Sequence, residues 1–268
     1  GIRKPRYHEY EMNAFKTGAY PQYYPNVNWV DEVFKDAAAT NIANMSLRGG
    51  GSKFRYFAMF NWVTDNGFIA NAKANDGYST QNKSSKANLR TNLDIDLTPS
   101  TKMTLNLLGT LAETNKPGDS ADLWSMIYSL PATAFPVKTE NGLWGGNTTW
   151  DGTKNPVAQS QAAAYTKGHN RSLYADMTLK QDLSSILPGL GAGFMLAYDN
   201  WASYVENHSK TYRYGSDNVQ WKSGKPVFTF IILSMDKKEL RTSQGAEFFC
   251  ILQLFIAFRF IGGSAVFH

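Results

Sequence analysis

Strict alternation of apolar and polar residues is the feature that most limits this chain. From 87 to 97, Ala87, Leu89, Thr91, Leu93, Ile95 and Leu97 share one parity, and Asn88, Arg90, Asn92, Asp94 and Asp96 share the other. A helix would scatter the two sets around its circumference, whereas a strand sorts them onto opposite faces. The pattern returns directly afterwards. Met103, Leu105, Leu107 and Leu111 oppose Lys102, Thr104, Asn106 and Thr110. Thr98-Pro99-Ser100 between the two runs has the composition of a tight turn. Residues 87–113 are therefore predicted to form a β-hairpin.

Two further hairpins obey the same rule. One covers Thr40 to Asp65. Ala43, Met45 and Leu47 alternate with Asn44, Ser46 and Arg48, and Phe54, Tyr56, Phe60 and Trp62 line one face of the returning strand. Its turn is placed at Gly49-Gly50-Gly51-Ser52, where glycine tolerates positive φ. The other runs from Arg171 to about Tyr204. Leu173, Ala175, Met177 and Leu179 alternate with Ser172, Asp176, Thr178 and Lys180, and Phe194, Leu196 and Tyr198 follow a turn near Pro188-Gly189-Leu190-Gly191.

The connections are unequal. They are short within each hairpin and long between hairpins, from Asn66 to Lys86 and from Asn115 to Asn170. Long structureless loops fit a compact soluble domain poorly. Short turns at one end and long loops at the other, joined by strands of about ten residues, are the layout of an outer-membrane barrel. The expected class is all-β, a partial transmembrane antiparallel β-barrel with short periplasmic turns and long extracellular loops. A soluble sandwich also has one apolar face per strand, so a secreted β-sandwich carbohydrate-binding module stays open as an alternative. A passive porin or structural outer-membrane protein is the other.

The longest loop holds one helix candidate, Asp119 to Leu130. Ser120 is the expected cap, Pro131 the stop, and Leu123, Ile127 and Leu130 the apolar stripe.

Composition removes other classes. The 268 residues carry a net charge of +5 with no run of basic residues, so a nucleic-acid partner is not expected. The single cysteine, Cys250, excludes an internal disulfide. No segment approaches the roughly 20 apolar residues of a spanning helix. His8, His169, His208 and His268 are isolated along the chain, so no metal or other cofactor is expected. No nucleophile-elbow sequence is present, and Gly49-Gly50-Gly51-Ser52-Lys53 lacks P-loop spacing, so an enzyme is the least supported class.

Candidate ligand contacts are Trp144 and Trp150, which flank Gly145-Gly146-Asn147-Thr148-Thr149 in the longest loop. An exposed indole beside amides and hydroxyls suits a sugar; the alternative is that the rings pack the loop. Phe60, Trp62 and Tyr198 are expected to face lipid near an aromatic girdle.

Several segments resemble a known family. They are Tyr24-Pro25-Asn26-Val27-Asn28-Trp29-Val30-Asp31-Glu32-Val33-Phe34, Asn44-Met45-Ser46-Leu47-Arg48-Gly49-Gly50 and Lys53-Phe54-Arg55-Tyr56-Phe57. Arg90-Thr91-Asn92-Leu93-Asp94, Pro131-Ala132-Thr133-Ala134-Phe135-Pro136 and Leu187-Pro188-Gly189-Leu190 follow in order. Together, over about residues 10–218, they resemble the SusC/RagA family of TonB-linked outer-membrane transporters of Bacteroidetes. The resemblance implies a section of a 22-stranded barrel in the cell outer membrane. It implies TonB-dependent uptake of oligosaccharides or peptides. Its implied partners are a SusD-like surface lipoprotein, the TonB complex acting through regions absent from this chain, and outer-membrane lipid. The chain has neither plug nor closing strand by this reading, so alone it is not expected to be a working transporter. The alternation fades near Lys225. The expected division is a partial barrel over 1–224 and an atypical tail over 225–268, of frameshifted or unrelated sequence.

Overall fold

The computed structural model describes residues 7–73, 77–118, 122–150, 155–222, 225–234, 241–260 and 263–267. The alternating segments form β1 (Thr40–Gly50), β2 (Phe54–Asp65), β3 (Lys83–Thr98), β4 (Thr101–Pro117), β6 (Tyr165–Asp182) and β7 (Gly191–Ser209). Each pairs antiparallel with the next, with β6 directly beside β4. β10 (Arg241–Phe260) extends the sheet beyond β7, from Arg241 opposite Ser209 to Arg259 opposite Gly191. β11 (Gly263–Phe267) follows it, giving an eight-stranded order β1-β2-β3-β4-β6-β7-β10-β11. The sheet is open, with β1 and β11 outermost among the described residues.

The first hairpin spans Thr40 to Asp65, with Leu47 opposite Ala58 and Met45 opposite Phe60. Its glycines are needed for a different reason from the one expected. None of Gly49, Gly50 and Gly51 has positive φ. A Cβ on Gly49 would lie 2.7 Å from the Tyr56 hydroxyl, and one on Gly50 would lie 2.6 Å from the Phe54 carbonyl oxygen. At Gly50 the close approach of the β2 backbone excludes a side chain, whereas at Gly49 the exposed Tyr56 ring would have to swing aside. Gly189 is the turn glycine that does take positive φ, at 80°.

Strands reach 18 residues in β6 and 19 in β7, rather than about ten. At roughly 3.3 Å per residue such strands are about 60 Å long. The reason is that backbone pairing continues past the point where alternation stops. Thr166 still pairs with Asn207, and Lys116 with Thr166, where both faces have turned polar.

Register aligns the apolar residues into rows running across the strands. One row is Leu47, Ala58, Thr91, Leu107, Ala175 and Tyr198. The next toward the turns is Gly49, Tyr56, Leu93, Leu105, Met177 and Leu196. Phe60, Trp62, Leu89 and Leu111 belong to this face and are exposed. The face is thus a broad apolar surface that nothing among the described residues covers.

The long connections are not structureless. They and residues 7–39 fold together at the end of the sheet opposite the turns. α1 (Glu9–Thr17) ends at Gly18 in the left-handed region, and α2 (Trp29–Val33) is capped by Asn28. α3 (Leu123–Ser129) and α4 (Pro156–Ala162) lie in the loop between β4 and β6. β5 (Trp144–Gly145), β8 (Tyr214–Lys222) and β9 (Lys225–Ser234) make a separate three-stranded sheet. Trp29, Val33, Ile69, Ala72, Ile127, Leu130, Phe135 and Val157 form the core of this layer.

The helix expected over Asp119–Leu130 starts later. Its cap is Asp122, whose carboxylate accepts the amides of Trp124 and Ser125 at 3.1 and 3.3 Å. An aspartate directly before the first turn both accepts amides and suits the helix dipole. Ser120 lies outside the described residues. Ile127 and Leu130 are buried as the stripe required, and the helix stops before Pro131.

Candidate functional surfaces

The face opposite the apolar rows carries hydrogen-bonded side-chain ladders. Asn61 Nδ2 donates to Asn44 Oδ1 at 2.5 Å, and Asn88 Nδ2 donates to Asn61 Oδ1 at 3.0 Å. Thr110 Oγ1 then donates to Asn88 Oδ1 at 3.0 Å. A second ladder runs from Asn92 Nδ2 to Asn106 Oδ1 at 2.5 Å, and from Asn106 Nδ2 to Asp176 Oδ2 at 2.7 Å. Nearer the turns, Thr104 donates to Asp94 at 2.9 Å, and Arg55 lies 4.0 Å from Asp94 and 3.8 Å from Asp96. Amide and carboxylate groups aligned in this way present donors and acceptors to whatever occupies that side. The face is not uniformly polar, because Met59, Arg90, Leu108 and Tyr174 share a row.

In the loop layer, two asparagines hold the segment that carries the expected ligand contacts. Asn155 is fully buried at 0% exposure. Its Oδ1 caps α4 by accepting the amides of Val157 and Ala158, each at 3.1 Å. Its Nδ2 donates to the carbonyls of Val137 at 3.2 Å and Gly145 at 3.0 Å. Asn147 Oδ1 accepts the amides of Thr149 and Trp150 at 3.0 and 2.7 Å, while its Nδ2 donates to the Ala134 carbonyl at 2.8 Å. A Cβ on Gly145 would sit 1.8 Å from the Pro136 carbonyl oxygen, so the backbones meet there.

Trp144 and Trp150 are both half-buried and packed against the layer's core. The Lys138 ammonium lies 4.8 Å above the Trp144 ring, and Tyr212 meets that ring edge-on at 6.4 Å. The two indoles thus stand within the packed layer. A different aromatic surface is open. Phe34 stacks on Trp124 at 4.5 Å, and Trp124 stacks on Tyr128 at 6.0 Å. Trp124 is 51% and Tyr128 79% exposed. Spacing could have revealed it: 124 and 128 are one turn apart, on the side of α3 away from Leu123 and Ile127.

Two histidines that look isolated in sequence acquire carboxylate partners. His169 Nδ1 lies 3.4 Å from Glu113 Oε1 across β4 and β6, and His208 Nε2 contacts Glu206 two residues earlier on β7. Alternation puts residues two apart on the same side of a strand, which sequence proximity alone conceals. His8 precedes α1 and stacks on Tyr10, and His268 lies outside the described residues. Among the described residues no group of three or more potential ligands could hold a metal ion.

The layer also brings two acidic residues, Glu140 and Asp217, together. Tyr23 donates from its hydroxyl to Glu140 Oε2 at 3.2 Å, and the Glu140 amide donates to Asp217 Oδ2 at 3.0 Å. Burial raises the Asp217 carboxyl above its ordinary value, and the Glu140 charge adds to this, against the lowering by the donated amide. Burial likewise raises the Tyr23 hydroxyl, reinforced by its bond to Glu140.

No protein-family model matches the chain, and no curated protein matches it. Among solved structures, it is similar to the RagAB peptide importer in its closed-closed state, at 13% identity and a TM-score of 0.39. That match covers 96% of this chain and 36% of the other. A structure of the RagAB peptide transporter matches at 14% identity and a TM-score of 0.39, over 87% of this chain and 31% of the other. The chain therefore spans about a third of the length of each.

Proposed function

We propose that this chain is a section of the wall of an outer-membrane importer. The observation that carries the reading is the sheet's two-sidedness. An uncovered apolar face suits hydrocarbon, and the face behind it carries side-chain amide ladders suited to a wet lumen. The loop layer at one end then stands outside the cell and the short turns face the periplasm. The wall alone is open, and an open edge is not tolerated in lipid, so closure requires strands from elsewhere in the full protein.

The SusC/RagA resemblance of residues 10–218 supports the finer reading of TonB-dependent uptake of oligosaccharides or peptides beneath a SusD-like lipoprotein. Under it the chain does no chemistry on its cargo. The exposed Trp124 and Tyr128, stacked on the half-buried Phe34, are the surface best disposed to meet a sugar, a peptide or the lipoprotein, with Trp144 and Trp150 as half-buried ligand candidates in the same layer. Residues 225–268 belong to this proposal as an atypical tail, whose continuity with the barrel the flanking DNA would test.

Site-specific labelling tests the two faces. Single cysteines are placed at Leu105 and Leu107, or at Thr104 and Thr178, in a chain whose Cys250 is changed to serine. With the chain carried in the full importer in vesicles, fluorophores on the first pair should be quenched by a lipid-borne nitroxide and those on the second should not. A chain that stays soluble without detergent, with both pairs open to an impermeant maleimide, would instead be the secreted sandwich.

A further inference from the structure

A glycine interrupts the apolar face where the chain's own packing does not require one. Gly109 lies in the row Met45, Phe60, Leu89, Gly109, Leu173 and Asn200. Its φ is not positive, and a Cβ built on it would meet nothing within 4 Å. Its missing side chain helps to open a trough of about 510 Å³ between Phe60, Leu89, Leu111 and Leu173. Glycine inside a strand often marks the close approach of another group.

The trough ends at a cation. Arg171 lines it on the side toward the loops, exposed in a row otherwise made of Ala43, Trp62, Ala87, Leu111 and Ala202. Arg171 makes no ion pair among the described residues. Leu111 and Arg171 also line a groove of about 310 Å³ that continues upward past His169 and Tyr204. Beyond it is a third hollow of about 640 Å³, which has Lys83 and Lys167 in its wall. Glu113 and Glu206 share these walls, Glu113 beside His169 and Glu206 beside His208 and Lys167. Three cations, Arg171, Lys83 and Lys167, thus stand against two carboxylates, which leaves one positive charge in excess above the apolar slot.

We infer that this column binds a phosphate-bearing membrane lipid. One acyl chain lies in the Gly109 trough, and the phosphate meets Arg171, with Lys167 and Lys83 beyond it. The assignment rests on the wall reading, because only a lipid-facing surface offers the trough an acyl chain. Charge complementarity selects an anionic occupant, and a guanidinium at the head of the slot suits a phosphate better than a neutral headgroup.

The test uses the full importer that contains this wall, in phosphatidylcholine vesicles with and without phosphatidylglycerol. Native mass spectrometry of the extracted importer then counts retained lipid. Phosphatidylglycerol should be retained over phosphatidylcholine. Arg171→Gln should reduce that preference roughly tenfold, Arg171→Lys should keep part of it, and Gly109→Leu should lower retention of both lipids. Lys102→Gln, on the other face, should change nothing. Equal retention of the two lipids, or an unchanged preference in Arg171→Gln, would overturn the site while correct face labelling left the wall reading standing. Failure of the labelling pattern would overturn both. Displacement of phosphatidylglycerol by inorganic phosphate, with Gly109→Leu indifferent, would overturn the lipid in favour of a phosphate site.

Discussion

Asn88 donates to Asn61 at 3.0 Å while accepting from Thr110 at 3.0 Å, so one side chain ties β2, β3 and β4 together on a single face. Asn61 passes the connection on to Asn44 in β1. Removing Asn88 therefore breaks two bonds and leaves a donor and an acceptor without partners. Asn88→Ala should cost about 1–3 kcal/mol, read as a shift in the denaturant midpoint. Thr110→Ala should cost less. The double variant should fall short of the sum, because both changes remove the same bond.

Asn155→Ala should loosen the loop layer without touching the sheet. The change uncaps α4 and takes the Asn155 amide from the buried Gly145 carbonyl and from that of Val137, which keeps the Gly145 amide at 3.1 Å. A loss of about 2–4 kcal/mol in local stability is expected. Hydrogen exchange should quicken over 134–150 and in α4, while β3 and β4 keep their protection. Equal quickening in both regions would show that the layer and the sheet unfold as one unit.

Trp150 and Trp124 should respond in opposite ways. Trp150 packs against the layer's core, so Trp150→Ala should raise protease sensitivity of the long loop. Trp124 and Tyr128 are exposed and stacked, so replacing both with alanine should leave protease resistance nearly unchanged. The double alanine should instead weaken capture of the cargo or lipoprotein, measured as binding to cells carrying the full importer.

The Asp217 carboxyl makes the layer's stability depend on pH. Its folded pKa is raised above the ordinary 3.8. A raised value means that the contribution is fully present below the unfolded pKa and is lost as pH rises through the folded one. The stability difference between Asp217→Asn and the wild type should therefore move in the variant's favour across that window and be constant above it. The Glu140 amide can still donate to an asparagine oxygen. Hydrogen exchange of 138–146, followed upward from pH 3, is the measurement. A difference that does not change with pH would show that the carboxyl titrates normally.

Gly145→Ala should be among the most damaging changes in the layer. The added Cβ would sit against the backbone of Pro136, which cannot rotate away as a side chain could. Loss of several kcal/mol is expected, with the three-stranded sheet lost first. Gly109→Ala, with open space around it, should fold normally, as circular dichroism would show.

The hairpins were legible because strand periodicity is local. Residues 87–97 sort themselves without reference to the rest of the chain, and Thr40–Asp65 is one hairpin in both sequence and structure. α4 could have been read as well, since Asn155 followed by Pro156 is a cap and a first-turn proline. The stacked Trp124 and Tyr128 were likewise available from their spacing. The partner of His208 was available too, since Glu206 lies two residues earlier on the same strand face; the partner of His169 was not, nor was the reason for Gly50, because both depend on what the neighbouring strand brings opposite.

By itself, then, the sequence determined the strands, their two faces and the inequality of their connections, since each follows from side chains a few residues apart. Only the tertiary structure decided that the long loops and residues 7–39 share one core. Trp29 donates to the Pro131 carbonyl at 3.2 Å, and Asn155 reaches back to Val137. Those contacts carry no periodic signal, because nothing local links the residues until the loops fold and exclude water from between them. Tertiary structure likewise set the trough at Gly109, which exists only because register places that glycine between Leu89 and Leu173.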